Sequence, residues 1–186
     1  MIIGVTGFFA AGKDSCAAYL EQQGFGHLSL SDIIRQELEQ RGEEINIANL
    51  TRTGNELRRQ FGFDVLAQRA LRRMTTDQDY VVTSIRHPDE VRALRGAERP
   101  FTMLFVDAPQ RLRFERSQQR RRAGDETTLE AFAAAEQAQL DSADPATQQL
   151  RACRQLADQV LDNDTGLAEL HDKIDRALKQ LGLETQ

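Results

Sequence analysis

The sequence predicts an α/β fold: a parallel sheet of about five strands with helices on both faces and a short lid. Three observations carry that expectation. Apolar, β-branched runs alternate with helical patterns along the chain, as crossover connections between parallel strands require. The chain opens on MIIGVTGFFAAGKDS, where a strand-like run leads straight into Gly7-Phe8-Phe9-Ala10-Ala11-Gly12-Lys13 and then into a helix. Arginines gather beyond the expected strand ends, the edge at which open parallel sheets bind ligands.

In chain order, Ile2, Ile3, Val5 and Thr6 read as the first, buried strand. Residues 14–23 follow as a helix with Cys16, Ala17 and Leu20 on its apolar side. Residues 27–30 form a short second strand, and Ser31 and Asp32 are N-cap candidates for a helix over 32–41. Residues 46–61 and 64–75 read as helices separated by Gly62. Residues 80–85 are a buried strand, and Pro88 starts a helix running to about Arg95. Phe101 to Val106 is another strand, closed by Asp107-Ala108-Pro109, and a helix follows over 110–120. A polar, loop-like stretch covers Arg120 to Thr128. Helical patterns return over 129–140 and 146–156, Val160-Leu161 is a last short strand, and 166–181 is an amphipathic terminal helix. With no repeat, low-complexity block or linker, residues 1–186 read as one domain whose lid covers about 116–128.

Composition narrows the class. The formal charge is −5 and the pI about 5.3, which argues against a general nucleic-acid binder while leaving room for a local basic pocket. No apolar run approaches membrane-spanning length, and the N-terminus lacks a signal-like pattern. Cys16 and Cys153 lie far apart and there are three scattered histidines, which argues against a zinc site. The expected setting is a reducing cytoplasm, with small-molecule nucleotides as partners and a monomeric or homodimeric state.

The first motif fits G-x-x-x-x-G-K in the strand–loop–helix context that the chemistry needs. Gly7 and Gly12 permit backbone angles closed to other residues, so loop N–H groups can turn toward phosphate oxygens at the positive end of the following helix. Lys13 adds a mobile cation. The candidate ATP- and phosphate-binding set is Gly7, Ala10, Ala11, Gly12, Lys13, Asp14 and Ser15, joined by Arg116 and Arg120. Asp14 stands where a hydroxyl usually follows the lysine, and Ser15 supplies the hydroxyl one place later. Asp14 either approaches Mg²⁺, directly or through water, or favours the helix N-terminus electrostatically. Ser15 and Asp14 are the metal candidates, and ATP and Mg²⁺ the expected cofactors.

Arg35 follows the second strand, Arg86 the third, and Arg116 and Arg120 share a helix face leading into Arg121 and Arg122. Phosphoryl transfer calls for such a layout, because its catalysis is mostly positioning and cationic stabilisation of charge spread over oxygens. The guanidinium suits that task through its planar fork of donors.

Strand, G-x-x-x-x-G-K and Ser31-Asp32-Ile33-Ile34-Arg35 together resemble the P-loop nucleoside monophosphate kinases, adenylate kinase above all. The resemblance implies a P-loop NTPase fold and ATP-dependent phosphoryl transfer to a nucleoside or deoxynucleoside monophosphate. It implies Arg35 and Arg86 on the acceptor phosphate, with Asp32 and Arg58 beside them, and Arg116 and Arg120 on the donor. Lys13, Arg86, Arg116 and Arg120 are then the catalytic candidates. The whole chain also resembles a group of adenylate kinase-like proteins from archaea and bacteria, and the kinase-like segment of some deoxycytidylate deaminases. That likeness rests on Gly54-Asn55-Glu56-Leu57-Arg58, Ser84-Ile85-Arg86, Ala123-Gly124-Asp125 and Asp162-Asn163-Asp164.

The chain departs from this family pattern in three places. The lid stretch is short and lacks the Cys cluster or inserted hairpin of long-lid adenylate kinases. Ala133, Ala134, Ala135 and Glu136 occupy the region where a second lid arginine is expected, with Arg151 or Arg154 as substitutes from the next helix. Thr83 and Ser84 stand where the central strand would end in an acidic residue, which leaves metal handling to Ser15, Asp14, Asp107 and water. Two alternatives follow. Dephospho-coenzyme A kinase shares the scaffold and would use Asp32 as a base. A nucleotide-sensing domain with little turnover would tolerate the missing groups.

Overall fold

The computed structural model describes residues 1–120, 126–140 and 143–180. Its centre is three strands whose residues are almost all buried: β1 (Ile2–Gly7), β3 (Tyr80–Thr83) and β4 (Phe101–Asp107). β2 (Gly26–Ser29) and β5 (Gln159–Asp162) are partly exposed and lie at the edges. The sheet order is β2-β3-β1-β4-β5 and every pairing is parallel. Near-continuous apolar strands are what a parallel sheet covered on both faces demands.

Alternate residues of one strand feed opposite cores. Ile2, Val82 and Met103 face one cluster, with Leu30, Ile34, Leu57, Leu66 and Leu94 from α2 (Leu30–Arg41), α3 (Ile47–Phe61), α4 (Val65–Leu71) and α5 (Pro88–Arg95). Ile3, Val81 and Leu104 face the other, against α1 (Lys13–Gln22) and, beyond three further helices, α9 (Leu167–Gln180). Leu170, Ile174, Ala177 and Leu178 repeat at helical spacing on α9 and are buried against Cys16 and Leu20 of α1. The helices between β4 and β5 are α6 (Gln110–Arg120), α7 (Leu129–Leu140) and α8 (Leu150–Gln155). Cys16 and Cys153 are both free and buried. Among the described residues no helix is long and apolar enough to cross a membrane.

Four boundaries differ from the sequence expectation by two residues or more, each for a local reason. β3 stops at Thr83 because Ser84 turns to φ 62°. The N-cap of α2 is Ser29, so Ser31 and Asp32 lie inside its first turn. α4 ends at Leu71, where bonds from Arg73 N to Ala70 O and Met74 N to Leu71 O tighten the chain. α8 begins only at Leu150, because Asp144 holds Ala146 N and Thr147 N in turns. The expected lid is described at 116–120 and 126–128. Arg121, Arg122 and the Ala123-Gly124-Asp125 feature lie outside the described residues.

Candidate functional site

The phosphate-loop motif sits at the C-terminal end of the central strand, where the chain reverses its direction across the sheet. Gly7 has φ 150°, and a Cβ there would lie 2.0 Å from Val106 O. Gly12 has φ 110° and caps α1, and a Cβ there would lie 2.3 Å from Asn163 Nδ2. Glycine is therefore required at both positions by backbone angle and by space.

Lys13 Nζ folds back to donate to Phe8 O at 2.5 Å. Burial first, then the neighbouring Arg86, lowers its pKa to about 7, with Arg120 and Arg113 adding to the effect and Asp14 opposing it. A cavity of about 350 Å³ opens beside it, lined by Ala10, Gly12, Lys13, Asp14, Ser15, Arg116, Arg120, Asn163, Gly166 and Leu167. Seven of these ten are expected site residues, drawn together from the loop, α1 and α6. Arg116 Nη1 is buried without a hydrogen-bond partner among the described residues, a costly state that an anionic oxygen would relieve. Ala11 is buried, and its carbonyl accepts from Asn163 Nδ2 at 2.8 Å.

The acceptor candidates lie elsewhere on the same sheet edge. Arg35 Nη1 donates to Ser31 Oγ and to Asp32 Oδ1, each at 2.8 Å. Arg86 follows β3, donates from Nη1 to Gln139 Oε1 at 3.2 Å and stands 6.0 Å from the Phe9 ring centre. Arg86 has its pKa lowered by burial, so it is a cation held in a poorly solvated place. Arg58 is not open to a ligand. It is buried against Glu90, donating from Nε at 3.1 Å and from Nη2 at 2.8 Å.

Several residues here were invisible to local motif reading. Glu90 is completely buried. One of its oxygens takes Arg58, and the other accepts from Arg86 N at 2.8 Å and His87 N at 3.0 Å. It stands three residues after the cap His87, and that capping-box spacing was the available signal. His87 Nδ1 accepts from Asp89 N, so the ring proton lies on Nε2, which donates to Pro145 O at 2.8 Å. Glu136, in the region expected to hold an arginine, pairs with buried Arg113, whose guanidinium lies 4.9 Å from the Phe8 ring centre and donates from Nε to Ala108 O at 2.7 Å. The substitute cation Arg154 approaches Asp107 at 3.6 Å and does not line the cavity. Asp107 itself accepts from Ala108 N and also lies outside the lining, and burial raises its pKa.

The site can accept polyanionic oxygen ligands. Asp14 and Ser15 offer oxygen donors of the kind Mg²⁺ takes, and among the described residues no cluster of three or more His, Cys, Asp or Glu could hold a metal unaided. A divalent ion fits here as one carried by a phosphate chain and steadied by these two residues.

Known proteins agree with this architecture. A family model described as an AAA domain matches residues 2–145. A UPF0200 protein of Thermococcus kodakarensis is 35% identical over 138 residues, 71% of this chain and 75% of that protein. A UPF0200 protein of Hyperthermus butylicus is 31% identical over 183 residues, covering 97% of this chain and 95% of that protein. Among solved structures, shikimate kinase from Aquifex aeolicus superposes with a TM-score of 0.57 at 15% identity, over 98% of both chains. With its five-stranded parallel sheet and phosphate loop, the chain belongs to the UPF0200 family and has a P-loop kinase-like fold.

Proposed function

We propose that the protein transfers the γ-phosphoryl group of ATP to a nucleoside or deoxynucleoside monophosphate. The observation that carries this reading is the charge of the cavity. Lys13, Arg116 and Arg120 line it against Asp14, and Arg116 Nη1 is buried without a partner among the described residues. That arrangement suits a triphosphate with its Mg²⁺. Leu167, 57% exposed beside Gly166, offers an apolar surface to the nucleotide's base.

The chain's own residues have distinct tasks in this reading. Loop amides and Lys13 cradle the transferring phosphates, and Arg116 and Arg120 hold the donor from the lid side. Asp14 and Ser15, with the donor phosphates, would hold Mg²⁺, which would supply charge neutralisation. Arg86 stands between donor and acceptor, and Arg35 takes the acceptor phosphate. An ionised phosphate acceptor needs no strong base. Asp32 supports that choice, because Arg35 already engages it at 2.8 Å. A hydroxyl acceptor would need that carboxylate free. The arginines also make the reading testable by steady-state kinetics with each substrate varied in turn. Arg35→Ala and Arg86→Ala should raise the acceptor KM, and Arg116→Ala and Arg120→Ala the ATP KM or lower kcat. An Arg35→Ala enzyme altered only in its ATP KM would contradict the assignment.

A further inference from the structure

Two non-glycine residues among those described have positive φ: Ala10 at 53° and Ser84 at 62°. They follow the adjacent strands β1 and β3, whose register pairs Val5 with Thr83. Ala10 belongs to the phosphate loop. Ser84 has no such explanation, and a left-handed serine is costly wherever glycine would serve.

What serine adds is a hydroxyl. Ser84 Oγ lies 2.9 Å from Ser29 Oγ and 3.3 Å from Ser31 Oγ, and those two are 2.9 Å apart. The three close a ring between the ends of β2 and β3. Ser29 departs from local preference as well. It is the N-cap of α2, yet its side chain makes no capping bond and turns to Ser31 and Ser84 instead. Two unfavourable local choices thus converge on one hydroxyl ring.

That ring ends on Arg35. Ser31 Oγ accepts from Arg35 Nη1, which also donates to Asp32. Both contacts use the same nitrogen, and among the described residues Nε and Nη2 make no hydrogen bond or ion pair. The Nε–Nη2 edge is the fork that matches two phosphate oxygens, and 42% of the side chain is exposed.

We propose that Ser84 is a positioning residue for a phosphorylated acceptor. Its hydroxyl, through Ser29 and Ser31, pins the first turn of α2 to the end of β3 and so aims the free edge of Arg35 at the acceptor phosphate. The proposal rests on the phosphate-acceptor reading above.

Two variants separate the hydroxyl from the backbone. Ser84→Gly removes the hydroxyl and relieves the left-handed strain, whereas Ser84→Ala removes the hydroxyl and keeps the strain. Calorimetric titration with the eight common ribo- and deoxynucleoside monophosphates identifies the tightest binder to the wild type, which then serves as the probe. Both variants should bind it about 5- to 10-fold more weakly, the loss expected for a positioning hydrogen bond, with ATP·Mg²⁺ affinity unchanged. Stability should divide them instead, with Ser84→Gly melting about 2–4 °C above Ser84→Ala. Wild-type affinity in Ser84→Gly with weakening only in Ser84→Ala would overturn the proposal, since backbone angle alone would then matter. Wild-type affinity in both overturns it too. If Arg35→Ala weakens the probe and neither Ser84 variant does, the relay fails while the acceptor reading stands. If no monophosphate binds the wild type, the acceptor reading falls and the relay with it.

Discussion

Arg58 and Glu90 meet at 2.8 Å in a pair that is 3% and 0% exposed, and the second oxygen of Glu90 holds the backbone N–H groups of Arg86 and His87. A cation read from the sequence as a ligand contact is therefore a support. Arg58 neutralises the carboxylate that fixes the loop carrying Arg86. Removing one partner of such a pair leaves a buried, uncompensated charge. Glu90→Gln should cost roughly 3–5 kcal/mol of stability, and Arg58→Met combined with Glu90→Gln should cost less than the two single changes added together. Urea denaturation of the four proteins measures this. Strict additivity would show that the pair is not coupled.

Lys13→Ala should lower turnover by roughly a hundredfold or more, because several kcal/mol of charge stabilisation disappear from the transferring phosphates. The fold should remain, since Lys13 folds back onto the carbonyl of Phe8 in its own loop and belongs to neither core cluster. Circular dichroism together with single-turnover rates checks both halves. A folded variant with near-normal turnover would remove the phosphate-loop assignment.

The lowered pKa of Lys13 has two consequences of opposite sign. In the folded protein without ligand its pKa is about 7, against 10.5 ordinarily. Between those values the unfolded chain binds more protons, so this residue's contribution to stability rises as pH increases through that window. The difference in melting temperature, wild type minus Lys13→Met, should therefore grow from pH 7 to pH 10. Phosphate binding works the other way. A polyanion favours the charged amine, so ATP binding at pH 8 should take up a proton, and affinity should fall as pH rises past 7. Titration calorimetry in two buffers of different ionisation enthalpy detects that proton. An equal apparent enthalpy in both buffers would argue against it.

Asn163 ties the end of β5 to the phosphate loop through Ala11 O, with its Nδ2 beside Gly12, and its buried Oδ1 has no hydrogen-bond partner among the described residues. Asn163→Asp should weaken ATP at least tenfold, because it exchanges the donor to Ala11 O for an acceptor and adds charge near the phosphates. Asn163→Ala should weaken it less. Fluorescent-nucleotide titration orders the three proteins, and a variant order of Ala below Asp would contradict the charge argument.

Legibility from sequence followed chain separation. The phosphate loop is a run of seven residues between a strand and a helix, and every interaction that defines it is local. The strands were legible because β1, β3 and β4 are buried on both faces and so are dominated by apolar residues, with threonine the main exception. Arg116 and Arg120 reached the cavity as helical spacing predicts. Arg58 with Glu90, Arg113 with Glu136 and Asn163 with Ala11 are separated by 32, 23 and 152 residues, and apart from the capping-box spacing of Glu90 no local pattern distinguishes these polar groups from surface ones. The end of β3 and the cap of α2 were misread for a shared reason. Ser84 and Ser29 ignore their local preferences to meet each other.

The central claim is phosphoryl transfer to a nucleoside monophosphate, and γ-labelled ATP with Mg²⁺ tests it most directly. The label is followed into each of the eight ribo- and deoxynucleoside monophosphates and into dephospho-coenzyme A. A labelled nucleoside diphosphate is expected from at least one monophosphate, and its formation should be lost in Lys13→Ala. Label appearing only on dephospho-coenzyme A, or no transfer by a protein that binds ATP, would contradict it.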